Sequence, residues 1–278
     1  MKQFILNNEP DSDNVVELKS DDYRYLVKVR RLAAGEFFPA LLPNGTETSI
    51  QIISIENNIL TGRCIFPNDS SSQKNSASSV SPCLCVRSLP ELILFQALPK
   101  GDKMDLIVRQ AAEGGLSEIV PFVSEFSVAK KNTGGQKVNR WEKIIKEARQ
   151  QSGSKIATTL HKTLSKSELL NYWQTVKKEG ALGLVFHHQK VQNGVLEQKS
   201  LHEYLNDIPR PFQNWKVVLV IGPEGGFSEK EVSLFMENDF KPFTFGDTVL
   251  RTETAALYCA AAIRILLLEK DSWELKKT

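Results

Sequence analysis

The sequence predicts an α/β fold: a small β-barrel domain followed by a larger domain built on a mostly parallel sheet. Three observations lead there. Short strand segments joined by tight turns fill residues 1–66, and continuous apolar runs alternating with helical segments fill the chain from Leu92 onward. Between them, Asn68 to Ser81 is Ser/Asn-rich and almost free of large apolar residues, too poor in burial to offset its ordering entropy. It is expected to be a mobile loop, and the predicted domains are 1–82 and 83–278.

The first domain opens with a helical segment, Asp21 to Leu32. Tyr25, Val29 and Leu32 recur on its expected inner face, and Arg24, Lys28, Arg30 and Arg31 lie on its polar side. Phe37 to Leu42 is a strand stopped by Pro43-Asn44-Gly45. Ser49 to Ile55 alternates apolar and polar residues, as a half-buried strand does, and Asn57-Asn58 turns the chain into Ile59 to Phe66.

In the second domain Leu92 to Leu98 is apolar throughout, the pattern of a strand buried on both faces. Asp102 to Glu113 reads as a helix stopped by Gly114-Gly115. Glu118 to Val123, Ala181 to Phe186 and Lys216 to Ile221 read as strands. Asn139 to Gln151, from an Asn cap, Ser228 to Glu237 and Thr252 to Glu269 read as helices.

The chain has 278 residues, of which 41% are apolar and 24% charged, with a net charge of +2. This balance excludes disordered, collagenous and coiled-coil classes and does not by itself mark a nucleic-acid binder. Four cysteines in this length exclude a disulfide scaffold. The most apolar stretch, Ala255 to Leu268, is interrupted by Arg264 and is shorter than the roughly 20 residues that span a bilayer. The expectation is a cytoplasmic protein with no membrane association.

Two segments carry the chemistry. Val217 to Ile221 runs into Gly222-Pro223-Glu224-Gly225-Gly226-Phe227-Ser228, a glycine-rich turn, with Ser228 and Glu231 at capping-box spacing. The turn matches neither G-x-G-x-x-G nor G-x-x-x-x-G-K-[ST], so the pattern gives little support to a phosphate cradle. Phe245-Gly246-Asp247-Thr248-Val249-Leu250-Arg251-Thr252-Glu253-Thr254-Ala255 again joins a strand to a helix, with Thr252 placed to cap it and Glu253 in its first turn. Taken singly, the first segment is equally compatible with an ordinary strand–helix turn, and the second is better explained by plain capping with a solvent-exposed Arg251. Basic residues crowd the stretch from Lys100 to Lys155, including Lys130, Lys131, Lys137 and Arg140. By charge alone this is either a solvated surface or a phosphate-attracting patch. Cys83 and Cys85, with Cys64, lack a fourth ligand at zinc-like spacing, so no metal is expected.

Together and in this order, Ile221 to Ser228 and Val249 to Ala255 resemble the RsmE family of SPOUT-class RNA methyltransferases. Leu98-Pro99-Lys100-Gly101-Asp102-Lys103-Met104-Asp105, Ser117-Glu118-Ile119-Val120-Pro121 and Trp141-Glu142-Lys143-Ile144 support the likeness, which covers nearly the whole chain. It departs from the family pattern at Gln110, Phe126, Gln150 and Ser154. The resemblance implies a PUA-like RNA-binding barrel, then a SPOUT domain with a deep trefoil knot. It further implies an obligate homodimer and methylation of N3 of a specific uridine in 16S rRNA of the small ribosomal subunit. It makes S-adenosyl-L-methionine the cofactor, held by Ile221, Gly222, Pro223, Glu224, Gly225 and Gly226 and by Phe245, Gly246, Val249, Leu250, Thr252, Thr254 and Ala255.

On this reading Arg251 stabilises the developing imide charge and Glu253 takes the proton. Arg24, Lys28, Arg30, Arg31, Lys130, Lys131, Lys137 and Arg140 contact RNA. Two alternatives stay open at this point: a non-catalytic RNA- or ribosome-binding protein with the same fold, and a SPOUT enzyme acting on another RNA position.

Overall fold

The computed structural model describes residues 4–66, 89–128, 135–187, 199–209, 212, 214–245 and 248–274. The expected mobile loop, 68–81, and the Cys83-x-Cys85 pair lie outside them. The chain divides into two compact units, Met1–Cys83 with Arg149–Ala157, and Leu84–Ala148 with Thr158–Thr278.

The first unit holds β1 (Phe4–Ile5), β2 (Val15–Leu18), α1 (Ser20–Tyr23), a π-helical turn (Arg24–Val29), β3 (Phe37–Leu41), β4 (Glu47–Glu56) and β5 (Ile59–Ile65). Its five-stranded sheet has the order β1-β3-β4-β5-β2, with only the β1–β3 pair parallel. Alternation in β4 buries Thr48, Ile50 and Ile52 and leaves Ile53 outward, and it ends where the register shifts between Ile52 and Ser54. Asn57 and Asn58 both take positive φ, 50° and 62°, as a two-residue hairpin turn demands. The expected helix over Asp21 to Leu32 is corrected. Arg30 N–H bonds the Tyr25 carbonyl, five residues back, and this wider winding breaks the four-residue face. Leu26 is fully enclosed, whereas Val29 is 69% exposed.

The second unit holds β6 (Glu91–Ala97), α2 (Lys103–Glu113), β7 (Glu118–Phe122), α3 (Gly135–Ser152), β8 (Thr159–Leu160), α4 (Lys166–Lys178), β9 (Ala181–Phe186), α5 (Leu201–Asn206), β10 (Lys216–Ile221), α6 (Glu229–Glu237), β11 (Lys241–Phe243) and α7 (Thr252–Glu274). α3 extends past Ala148 into the segment assigned to the first unit. Its start at Gly135 places Asn139 inside the helix, so Asn139 is not the cap expected there.

The six strands are all parallel, in the order β11-β9-β10-β6-β7-β8. Their apolar runs feed two cores. Leu92, Leu94, Val217, Leu219 and Ile221 pack with α2, α3, α5 and α7. Ile93, Phe95, Val218 and Val220 pack with Trp173 of α4 and Phe235 of α6. Arg264, which interrupts the apolar stretch of α7, donates to the Gly114 carbonyl and so satisfies the end of α2. Among the described residues no helix is long and apolar enough to cross a membrane.

Candidate active site

Parallel strands place the loops that follow β6, β10 and β11 at one edge of the sheet, the carboxyl edge where open α/β sheets take ligands. There the glycine turn is shaped by two of its glycines. Gly226 N–H closes the turn onto the Pro223 carbonyl at 2.9 Å, with φ of +71° at Gly226. A Cβ on Gly222 would stand 3.2 Å from the Gly226 carbonyl carbon, so the two glycines meet backbone to backbone. Gly225 serves a different neighbour: its Cβ would meet Cβ of Phe126 at 3.0 Å.

The expected capping box forms. Ser228 Oγ accepts from Glu231 N–H at 3.2 Å, and Glu231 Oε2 accepts from Ser228 N–H at 3.3 Å. Glu231, 1% exposed, also accepts from Glu125 N–H at 2.8 Å and from Lys166 at 3.2 Å. Ser228 Oγ donates to Glu125 at 2.6 Å. The loop after β7 is thereby tied to the start of α6, beside the glycine turn.

The loop after β6 is tied from the other side. Glu224 accepts from Lys100 N–H at 3.0 Å and pairs with Lys103 at 2.8 Å. Burial pushes the Glu224 carboxyl up, but the bonds from Lys103 and from the Glu224 and Lys100 N–H groups outweigh it and hold the group below the ordinary glutamate value. Thr252 is not the side-chain cap expected of it. Its hydroxyl turns inward, donating to the Gly222 carbonyl at 2.6 Å and accepting from Gln96 Nε2 at 3.0 Å. The Arg251 carbonyl begins the helix instead, accepting from Ala255 N–H at 2.8 Å.

The glycine turn and the start of α7 line a cleft of 430 Å³, within the range of small-molecule sites. Ile221 to Gly226 line it from one side, and Val249, Leu250, Arg251, Thr252 and Ala255 from another, with Phe245 beside them. Gly246 lies outside the described residues. Thr254 is exposed on α7 and, like Glu253, does not line the cleft. Glu253 Oε2 is buried, 3.7 Å from the Lys103 ammonium.

Sequence reasoning missed an aromatic wall. Phe186 and Phe245 stack with centroids 5.6 Å apart, and Phe243 meets Phe245 edge-on at 5.1 Å. It also missed Lys103 as a lining residue. Phe186 ends β9, the neighbour of β10, and its place at a strand end was the available signal.

Of the expected RNA contacts, Arg24, Lys28, Arg31 and Lys137 are exposed and Arg30 is half-buried. Arg140 is paired with Asp105. Lys130 and Lys131 lie outside the described residues. No cluster of metal-ligating side chains occurs among the described residues.

A wholly parallel sheet with a backbone-lined, aromatic-walled cleft at its carboxyl edge defines the second unit as an α/β domain of the ligand-binding type. The chain belongs to the RNA methyltransferase domain family, whose profile matches residues 87–264. It is 29% identical over 271 residues to the ribosomal RNA small subunit methyltransferase E 2 of Borreliella burgdorferi, covering 96% of this chain and 98% of that one. It is 27% identical to ribosomal RNA small subunit methyltransferase E of Bacillus subtilis, over 88% of each chain. The fold matches that of ribosomal RNA small subunit methyltransferase E from Neisseria gonorrhoeae bound to S-adenosyl methionine. That match has a TM-score of 0.69 and 22% identity, and covers 96% of this chain and 98% of that one.

Proposed function

We propose that this protein methylates N3 of a specific uridine in 16S rRNA of the small ribosomal subunit, using S-adenosyl-L-methionine. The observation that carries the reading is the convergence of Ile221 to Gly226 and Val249 to Ala255 on one cleft. The likeness to two small-subunit methyltransferases over most of the chain supports it.

The residues present fit that cofactor. Main-chain groups of the glycine turn, brought together by the Gly222–Gly226 contact, suit an adenosine edge, and the Phe186–Phe243–Phe245 wall suits its ring faces. S-adenosylmethionine supplies a methyl group already activated on a sulfonium. The chain's own task is to position the base and exclude water. Arg251, exposed on the cleft lining, meets the imide oxygens as N3 loses its proton.

In this reading the first unit is a PUA-like RNA-binding barrel, and Arg24, Lys28, Arg30 and Arg31 approach phosphates with Lys130, Lys131, Lys137 and Arg140 of the later domain. The glycine turn and the start of α7, joined by the Thr252 bond to the Gly222 carbonyl, belong to a trefoil knot. The functional unit is a homodimer. α7 presents Tyr258 at 53% exposure, Ile265 at 53% and Leu268 at 48%. An apolar cleft of 230 Å³ between α2 and α7 lies beside them. A second copy covers this apolar surface. The protein works in the cytoplasm, where its substrate is assembled.

Mass spectrometry of rRNA from cells lacking the protein tests the reading. Loss of one N3-methyluridine from 16S rRNA, restored by the wild-type gene, is the expected result. An unchanged set of modified nucleosides would overturn it.

A further inference from the structure

Lys103 begins α2 and lines the cleft together with Arg251 and His187. Its ammonium lies 2.8 Å from Glu224 Oε1 and 3.7 Å from Glu253 Oε2, carboxylates brought from the glycine turn and from α7. Glu253 Oε2 is sealed from solvent and has no hydrogen-bond partner among the described residues. The cation therefore faces the cleft, and the carboxylate expected to act as base stands outside the lining. A base must come within hydrogen-bond reach of the proton it takes.

We propose that Lys103 is a catalytic residue. Its ammonium, held by Glu224 and Glu253, stabilises the negative charge that develops on the uracil imide as N3 is deprotonated, and Glu253 is a positioning residue acting through it. The inference rests on the methyl-transfer reading of the cleft. N3 gives its proton to solvent water. The electron pair left on N3 takes the methyl group, whose former bonding pair stays with the donor sulfur. Charge spreads from N3 onto O2 and O4, and an ammonium held in place at the cleft lining is positioned to stabilise it without reorganising. The hydrogen bond to Glu224, and then the charges of Glu224 and Glu253, hold the Lys103 amine above the ordinary lysine value, which keeps it a cation and not a base.

The test reads ionisation directly. A small-subunit rRNA fragment carries 5-fluorouridine at the uridine that mass spectrometry identifies, and is bound to protein loaded with S-adenosylhomocysteine. The ¹⁹F resonance is followed against pH. Wild-type protein is expected to lower the imide midpoint by about one pH unit or more relative to free RNA. Lys103→Met should remove most of that shift and Lys103→Arg should keep it. Single-turnover methylation should fall about 10²–10³-fold in Lys103→Met, and by less than about tenfold in Glu253→Gln.

A folded Lys103→Met with the wild-type midpoint and rate overturns the assignment. So does a 10²–10⁴-fold loss in Glu253→Gln beside a near-normal Lys103→Met, which would make Glu253 the base. Should Lys103→Met fail to fold, Glu224→Gln takes its place, with a smaller shift expected and an unchanged midpoint counting against the proposal. Wild-type protein that leaves small-subunit rRNA unmethylated overturns the reading of the whole cleft, an outcome distinct from failure of Lys103 alone.

Discussion

Gln96 and Thr252 stand 156 positions apart in the chain and meet by a 3.0 Å hydrogen bond, Gln96 Nε2 donating to Thr252 Oγ1. Both residues are buried, at 0% and 4% exposure. The same hydroxyl donates to the Gly222 carbonyl, so one side chain joins the end of β6, the glycine turn and the start of α7. Thr252→Val keeps shape and removes the hydroxyl. It leaves a buried carbonyl short of a donor and a buried amide short of an acceptor, each worth about 1–3 kcal/mol. Denaturant unfolding should show a loss in that range, and calorimetry should show weaker S-adenosylmethionine binding. Wild-type values in both would mean that water replaces the hydroxyl.

Gly225→Val is expected to act through Phe126. The new Cβ would stand 3.0 Å from Cβ of Phe126, so the substitution strains the contact between the glycine turn and the loop after β7. The stability loss should shrink in the double variant with Phe126→Ala, with a coupling of about 0.5–3 kcal/mol in a double-mutant cycle. Additive effects would show that Gly225 is needed for a reason other than this neighbour.

Glu118 gives the stability a pH dependence. It accepts from Tyr172 and lies 2.7 Å from His161 Nε2. Burial pushes its carboxyl up, but these two bonds prevail and hold it below the ordinary value of 4.5. A depressed carboxyl contributes stability above its unfolded pKa and loses it as pH falls through the folded one. Glu118→Gln should therefore cost stability at neutral pH, and the gap from wild type should narrow progressively as pH falls below 4.5. Urea unfolding from pH 3 to pH 7 checks the slope. A gap that does not vary with pH would remove the charge from the explanation.

Salt dependence measures the phosphate contacts. Replacing Lys28, Arg31 or Lys137 with alanine should weaken binding to small-subunit rRNA without changing sequence preference. The log–log salt slope should flatten by about 0.7–0.9 per lost contact. Arg140 should give a smaller change, because Asp105 already engages its guanidinium. An unchanged slope with an altered preference would place these cations on bases.

Ile265→Asp places a charge on the exposed apolar face of α7. Wild-type protein should scatter light as a dimer at micromolar concentration and the variant as a monomer, with the same far-ultraviolet circular dichroism. Two monomers would leave that face without a second copy.

The order of strands and helices in the second unit was legible because a strand buried on both faces must be apolar throughout, as Leu92 to Leu98 and Val217 to Ile221 are. The capping box at Ser228 and Glu231 was legible for an equally local reason: its bonds join residues three positions apart. The two loops that meet at the cleft were legible as motifs, since their glycines and their Arg-Thr-Glu run are contiguous in the chain. What periodicity misjudged was the segment from Asp21 to Leu32, where a π turn changes the angle per residue and exchanges Leu26 for Val29. The direction of the Thr252 hydroxyl, the neighbour of Gly225 and the placing of Lys103 between two carboxylates came only from the tertiary structure. Each depends on a partner 30 or more residues away, brought close by the tertiary fold, and the local pattern of a sequence carries no record of such distances.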